Sequence, residues 1–336
     1  MTARRHLHKA MRPLLGLLIL YIVFRRIPVD ELASVLLHSL HAWPWWISGI
    51  AVTFLGLLAG ALRWHRILRD QGFTLPFSES FRYFFVGQFF NSFFPGACGG
   101  DVVRAYSVIR SKGTNKTGAV MTVLMDRAIG LLVFVILGCI MIAFRYRLFV
   151  YSRGTRLTAY LMGAFLLATS AGLIVLFRRN LFEHWPLFKK FEETTRAGAL
   201  LRKAYDVLLV YRSRPRLLVS AIGLSFVNLA ALTSACFFFG HSLGIGISWF
   251  DYFTFFPIIT VFTAVPITPG ALGIREALFA GMLHTVDVSS SQAVPLSLLM
   301  YAGGLVWSLF GGLIFLLQPN RPHALPIDTA ATDRYC

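Results

Sequence analysis

Phe94-Pro95-Gly96-Ala97-Cys98-Gly99-Gly100-Asp101 and Thr268-Pro269-Gly270-Ala271-Leu272-Gly273 share the frame Pro-Gly-Ala-x-Gly, and each follows a long hydrophobic run. The first closes the aromatic stretch from Phe81 to Phe94, and the second closes the apolar stretch from Phe250 to Ile267. Proline removes a backbone donor and glycine relaxes the helix, so both stretches predict a helix that stops and restarts. Backbone that leaves a helix at membrane depth must be shielded by protein or line a wet cavity, because lipid offers its N–H and C=O groups no partner. Two such breaks at matching places in two halves of a chain are the sequence mark of a transporter's binding region.

The surroundings of the breaks are those of a membrane protein. Of the 336 residues 56% are hydrophobic and 14% charged, the mean hydropathy is +0.66, and phenylalanine alone accounts for 31 positions. A soluble domain has no interior large enough for that much apolar surface. The fold class expected is an all-α polytopic membrane protein with about 6–8 membrane segments. Two broken, re-entrant helical units, roughly 77–144 and 250–317, are included in a single domain over 1–318, and a polar tail occupies 319–336.

The net charge of +17 does not point to nucleic acid. Its lysines and arginines sit in short loops between apolar runs, where they mark the cytoplasmic side and can draw anionic headgroups. Leu14 to Phe24 reads as an uncleaved first span and Asp30 to His41 as an interfacial helix. Pro44 to Leu62, Ala119 to Phe144, Leu157 to Phe177, Leu217 to Gly240 and Ala293 to Leu317 read as further spans. The basic stretch from Arg178 to Arg216 reads as cytoplasmic. The four arginines between Arg145 and Arg156 are the main departure from this pattern. With the basic loops inside, an odd number of crossings separates the two broken units, so they are expected to be inverted repeats. Val123-Leu124-Met125 and Leu298-Leu299-Met300 stand at nearly the same offset from their breaks and support a duplication.

Charged residues inside these apolar stretches are expensive and normally face a partner or a cavity. Asp101 and Arg104 follow the first break, Arg275-Glu276 follows the second, and Asp126-Arg127 lies within a span. A helix restarting near Gly100 would offer its N–H groups to an anion such as a lipid phosphate, with Arg104 one turn on. Asp101 would cap that helix or hold Arg104 or Arg127. Mutual pairing of these ions competes with ligand binding and is compatible with it. Arg63-Trp64 reads as an interfacial anchor. Cys98, Cys139, Cys236 and Cys336 are scattered and lack the spacing of a disulfide framework or metal site. No metal or cofactor is expected, and no Walker loop, dinucleotide fingerprint or Gly-x-Ser-x-Gly appears.

Taken together, Arg63-Trp64, Gly87-x-x-x-Asn91, Phe94-Pro-Gly-x-x-Gly-Gly-Asp101-x-x-Arg104, Asp126-Arg127-x-x-Gly130 and Pro269-Gly-x-x-Gly273-x-x-Glu276 resemble the lysylphosphatidylglycerol synthase transmembrane family over residues 10 to 318. The resemblance implies a flippase-like bacterial inner-membrane domain that moves a lipid between leaflets. It also implies that Asp101, Arg104, Asp126, Arg127 and Glu276 line a central cavity. These residues contain no synthase domain, so aminoacyl transfer is not expected. Tyr301-Ala302 stands where similar proteins often have an arginine. The expected function is translocation of an anionic or polyprenyl-phosphate lipid, without enzymatic activity. The alternatives are a membrane enzyme or subunit acting on lipid-linked glycans or phospholipids, and a scaffold for such an enzyme. The substrate-binding set expected is Asn91, Gly96, Gly99, Gly100, Asp101, Arg104, Asp126, Arg127, Pro269, Gly270, Gly273, Arg275 and Glu276. The partner is a membrane lipid with an anionic headgroup, together with a separately encoded lipid-modifying enzyme, and both termini are expected in the cytoplasm.

Overall fold

The computed structural model describes residues 41–93, 99–112, 115–150, 152–178, 214–265, 268 and 271–317. The expected first span, the interfacial helix up to residue 40, most of the basic stretch and the tail lie outside them. So do Gly96, Pro269 and Gly270. Among the described residues the protein is all-helical, with ten α-helices and one short 3-10 turn.

In chain order the helices are α1 (Trp43–Asp70), α2 (Phe77–Phe93), α3 (Gly99–Lys112), α4 (Lys116–Phe144) and α5 (Tyr146–Val150). They continue with α6 (Arg153–Arg178), α7 (Pro215–Ser242), α8 (Trp249–Thr263), α9 (Ile274–Leu283) and α10 (Ser290–Leu316). Four of them, α1, α4, α7 and α10, are long and apolar enough to cross a membrane. Local chemistry sets the ends. Pro44 and Pro215 stand in the first turns of α1 and α7, where a missing N–H costs nothing. Ser248 and Asp251 form a capping box on α8. The Asn115 side chain accepts from Gly118 N–H at the start of α4.

Both sequence breaks separate helices as expected. α2 and α3 flank the first, α8 and α9 the second, and each short pair is followed by a long helix, α4 or α10. The packing of these six helices is reciprocal. The leading helix of the first unit, α2, lies along α10 of the second, while α8 lies along α4 of the first. Small residues allow the close approach. A Cβ on Gly311 would sit 2.0 Å from the Phe85 carbonyl oxygen, and one on Gly312 would sit 2.7 Å from the Phe89 ring. On the other side, a Cβ on Gly138 would sit 3.3 Å from Ile258 and 2.4 Å from Met162. Gly138 and Gly312 stand at equal distances along the chain from Pro95 and Pro269. Elsewhere α1 runs along α7, and the Asn228 side chain donates to the Gly56 carbonyl at 2.6 Å. The main buried core joins α4, α7, α8, α9 and α10 around Phe239, Phe255, Ile258 and Leu296.

One basic residue of the Arg145–Arg156 loop has a local counter-charge. Arg145 pairs with Asp251 at the start of α8, so its place in that loop is explained by an ion pair where the charge pattern does not explain it.

Candidate functional site at the interface of the broken units

Two buried polar clusters follow the two breaks. In the first, Asp126 on α4 receives two guanidinium groups. Arg63 Nε on α1 donates to its Oδ1 at 2.7 Å and Arg104 Nη2 on α3 donates to its Oδ2 at 3.0 Å. Arg63 Nη1 also donates to Ser225 Oγ on α7 at 2.8 Å. One carboxylate thereby ties three helices together and reaches a fourth. Charge-assisted bonds of this kind are the strong ones. Arg104 is sandwiched as well, its guanidinium carbon 4.2 Å from the Trp64 ring centroid and 4.7 Å from that of Phe84.

This geometry explains the spacing of the motifs. Gly130 lies one turn beyond Asp126, and a Cβ there would stand 3.1 Å from Arg63 Nη1. Glycine therefore makes room for the guanidinium. Gly87 does the same for Arg104, whose Cγ would lie 2.5 Å from a Cβ at that position. Gly100 passes so near α2 that its Cβ would fall 1.8 Å from the Gly87 carbonyl oxygen. Asn91, one turn past Gly87, accepts from Gly100 N–H at 2.9 Å, which satisfies a donor that the start of α3 leaves open. Asp101 pairs with Arg127 and stands 3.7 Å from Arg104. It holds both arginines named for it in the sequence.

The second cluster is smaller. Gly273, at φ 83°, turns the chain into α9 in a conformation that suits glycine, and its N–H donates to Glu276 Oε2 at 2.6 Å. The other oxygen of Glu276 accepts from Arg275 Nη2 at 2.8 Å and from Ser297 Oγ on α10 at 2.9 Å. Arg275 Nε donates to the same Ser297 oxygen at 2.8 Å, and its guanidinium lies 4.8 Å from the Tyr301 ring centroid. Glu276 is fully buried.

Tyr301 has a counterpart in the first unit. Asp101 and Arg275 stand six residues beyond Pro95 and Pro269, and Arg127 and Tyr301 are matched in the same way. In the first unit the pair is a carboxylate on the half-helix and an arginine on the long helix. In the second, the arginine is on the half-helix and a ring receives it. The tyrosine thus serves a cation that sits on the other helix.

Between the units lies a cavity of about 220 Å³, lined by Gln88, Asn91 and Ser92 of α2 and by Arg275, Met300, Tyr301, Gly304 and Leu305. Of the expected site residues, Asn91 and Arg275 line it. Arg104, Asp126 and Glu276 do not: they are buried in the ion pairs just described. These three therefore lie outside the lining of this cavity. Asp101 and Arg127 form a part-exposed pair outside its lining, and Gly99, Gly100 and Gly273 serve the backbone. Arg63-Trp64 is corrected from an interfacial anchor to a buried element, with Trp64 0% exposed. Burial wins because Arg63 finds Asp126 across the helix interface. Ser92, Ser225 and Ser297 carried no signal in the sequence, since single polar residues on apolar helices are common.

The family model of the lysylphosphatidylglycerol synthase TM region matches residues 10–321. The chain belongs to this family. It is also similar to a UPF0104 membrane protein of Pyrococcus horikoshii, 24% identical over 283 residues, covering 78% of this chain and 83% of that protein. Membership makes this a membrane protein of a lipid-related family, and Arg63, Asp101, Arg104, Asp126, Arg127 and Glu276 of the sequence motifs fall in the two polar clusters. Among the described residues no group of histidine, cysteine and carboxylate side chains could hold a metal ion.

Proposed function

We propose that this protein is a lipid translocase, in which an anionic or polyprenyl-phosphate headgroup passes between leaflets at the interface of the two broken units. The observation that carries this reading is the cavity between α2 and α10, with Asn91 and Arg275 turned into it from helices that flank the breaks. A headgroup held there keeps its acyl tails in the surrounding lipid. The reciprocal packing of α2 on α10 and α8 on α4 suits two inverted repeats that rock against one another, as alternating access requires. Exchange is passive or ion-coupled in this scheme. Asp101, whose Oδ1 accepts no hydrogen bond within the described residues, is the carboxylate suited to carry a proton.

Among the described residues the cavity lining contains no carboxylate that could act as a base, which favours transport over an enzyme acting on lipid-linked glycans. The setting proposed is the bacterial plasma membrane with both termini in the cytoplasm, where a separately encoded lipid-modifying enzyme supplies or consumes the lipid. The test is leaflet exchange of a fluorescent phospholipid in vesicles, read by its quenching from outside. Exchange faster than in protein-free vesicles supports the proposal. Exchange at the protein-free rate, with the protein inserted and monodisperse, refutes it.

A further inference from the structure

We infer that the cavity between α2 and α10 selects a phosphodiester headgroup carrying one net negative charge. The inference rests on the translocase reading for its biological meaning, but it is built on the donors that face the cavity. Arg275 is held on three sides. Nε is taken by Ser297, Nη2 by Glu276, and one face by the Tyr301 ring. Nη1 makes no hydrogen bond within the described residues and is the guanidinium edge left for the cavity. Asn91 uses its Oδ1 on Gly100 N–H, so its Nδ2 is a second donor. The Gln88 side chain, which makes no hydrogen bond within the described residues, supplies a third. All three residues line the cavity, and its described lining has no carboxylate to oppose an anion.

The same inventory limits the charge. Among the described residues Arg275 is the one cation in the lining, and it shares its charge with Glu276 behind it. A diphosphate would bring a second negative charge into a site with no second cation, at low dielectric, where uncompensated charge is costly. A choline or aminoacyl headgroup would bring a cation that finds no carboxylate in the described lining. A singly charged phosphodiester brings the smallest negative charge of these anions and no cation. Size agrees. At about 220 Å³ the cavity is smaller than the roughly 300–1,000 Å³ that encloses a drug-sized ligand, so it admits a headgroup and leaves the tails outside.

Binding is measured on the purified full chain in detergent, by native mass spectrometry, against phosphatidylglycerol, phosphatidylcholine and a polyprenyl diphosphate. Soluble glycerophosphoglycerol serves as competitor. The expected result is retention of phosphatidylglycerol about tenfold or more over the other two lipids, since one charge-assisted hydrogen bond accounts for that ratio. Arg275→Gln is expected to abolish the preference. Gln88→Leu, on the opposite wall and outside the Arg275–Glu276 cluster, is expected to weaken phosphatidylglycerol severalfold with an unchanged melting temperature. Displacement by glycerophosphoglycerol at equal concentration would assign the site to a soluble phosphodiester instead of a lipid and overturn its lipid half. Equal retention of the three lipids, tighter retention of the diphosphate, or an unchanged preference in both variants overturns the inference. Its failure is separable from that of translocation. Selective binding without leaflet exchange keeps the site and removes transport, whereas exchange with no headgroup preference does the reverse.

Discussion

Replacing Asp126 by asparagine tests whether the first cluster is the fastening of the fold. The substitution keeps the shape and removes the one charge that Arg63 and Arg104 share at 2.7 and 3.0 Å. Both arginines are more than nine-tenths buried, at 8% and 5% exposure. Removing one partner of a buried pair costs about 3–5 kcal/mol, because the remaining charge is left uncompensated. Here two charges lose their closest partner, Arg63 on α1 and Arg104 on α3, which keeps Asp101 at 3.7 Å, so the upper half of that range applies before compensation. Cation–π contact with Trp64 and Phe84 offsets part of the loss for Arg104, by up to about 2 kcal/mol. Among the described residues Arg63 has only Ser225 in compensation. The net expectation is about 3 kcal/mol, or a fall of roughly 10 °C in melting temperature by soluble-protein scaling. The assay is thermal unfolding in detergent, followed by size-exclusion chromatography. The triple variant Arg63→Met, Arg104→Met, Asp126→Leu is expected to recover much of the loss, since it removes the charges together. A melting temperature within about 2 °C of wild type for Asp126→Asn, the range of a surface change, would refute the reasoning.

Further expectations concern single contacts. Gly100→Ala places a Cβ 1.8 Å from the Gly87 carbonyl oxygen, and the forced separation of α2 and α3 is expected to cost about 1–3 kcal/mol, read as a lower melting temperature. Ser297→Ala removes the hydroxyl shared by Arg275 and Glu276. A loss of about 1–3 kcal/mol is expected, with headgroup retention measured alongside because Arg275 is then free to turn. Gly304→Leu meets no atom within 4 Å of its Cβ and extends into the cavity, so lipid retention is expected to fall while the melting temperature holds. Arg145→Ala breaks a part-exposed pair with Asp251, which Ser248 still satisfies. A change under about 1 kcal/mol is expected there.

The membrane class, the two breaks and the charged pairs were legible because each violates a strong local rule. Apolar runs do not normally contain Pro-Gly-Ala-x-Gly, and helices in lipid do not normally contain Asp-Arg. Partner choice was less legible. Arg63 looked like an interfacial anchor because it follows an apolar run, and nothing local says that Asp126 lies across the helix interface. The roles of Gly87, Gly100 and Gly130 emerge only when the atoms they admit are known. The cavity lining drew on Gln88 and Ser92, polar residues whose side a helical period cannot fix inside an aromatic stretch. Tyr301 gave no sign in the sequence of its partner, and the structure packs its ring against the Arg275 guanidinium.

The central claim is that lipid crosses between the two units, and a reversible lock tests it most directly. In a chain with Cys98, Cys139, Cys236 and Cys336 replaced, Ser92→Cys and Leu305→Cys put thiols on the two walls of the cavity. Leaflet exchange of phosphatidylglycerol in vesicles is then followed before a cleavable cross-link, after it, and after its reduction. The account predicts that the cross-link stops exchange and that reduction restores it. Exchange that continues unchanged with the cross-link verified in most molecules would contradict the account.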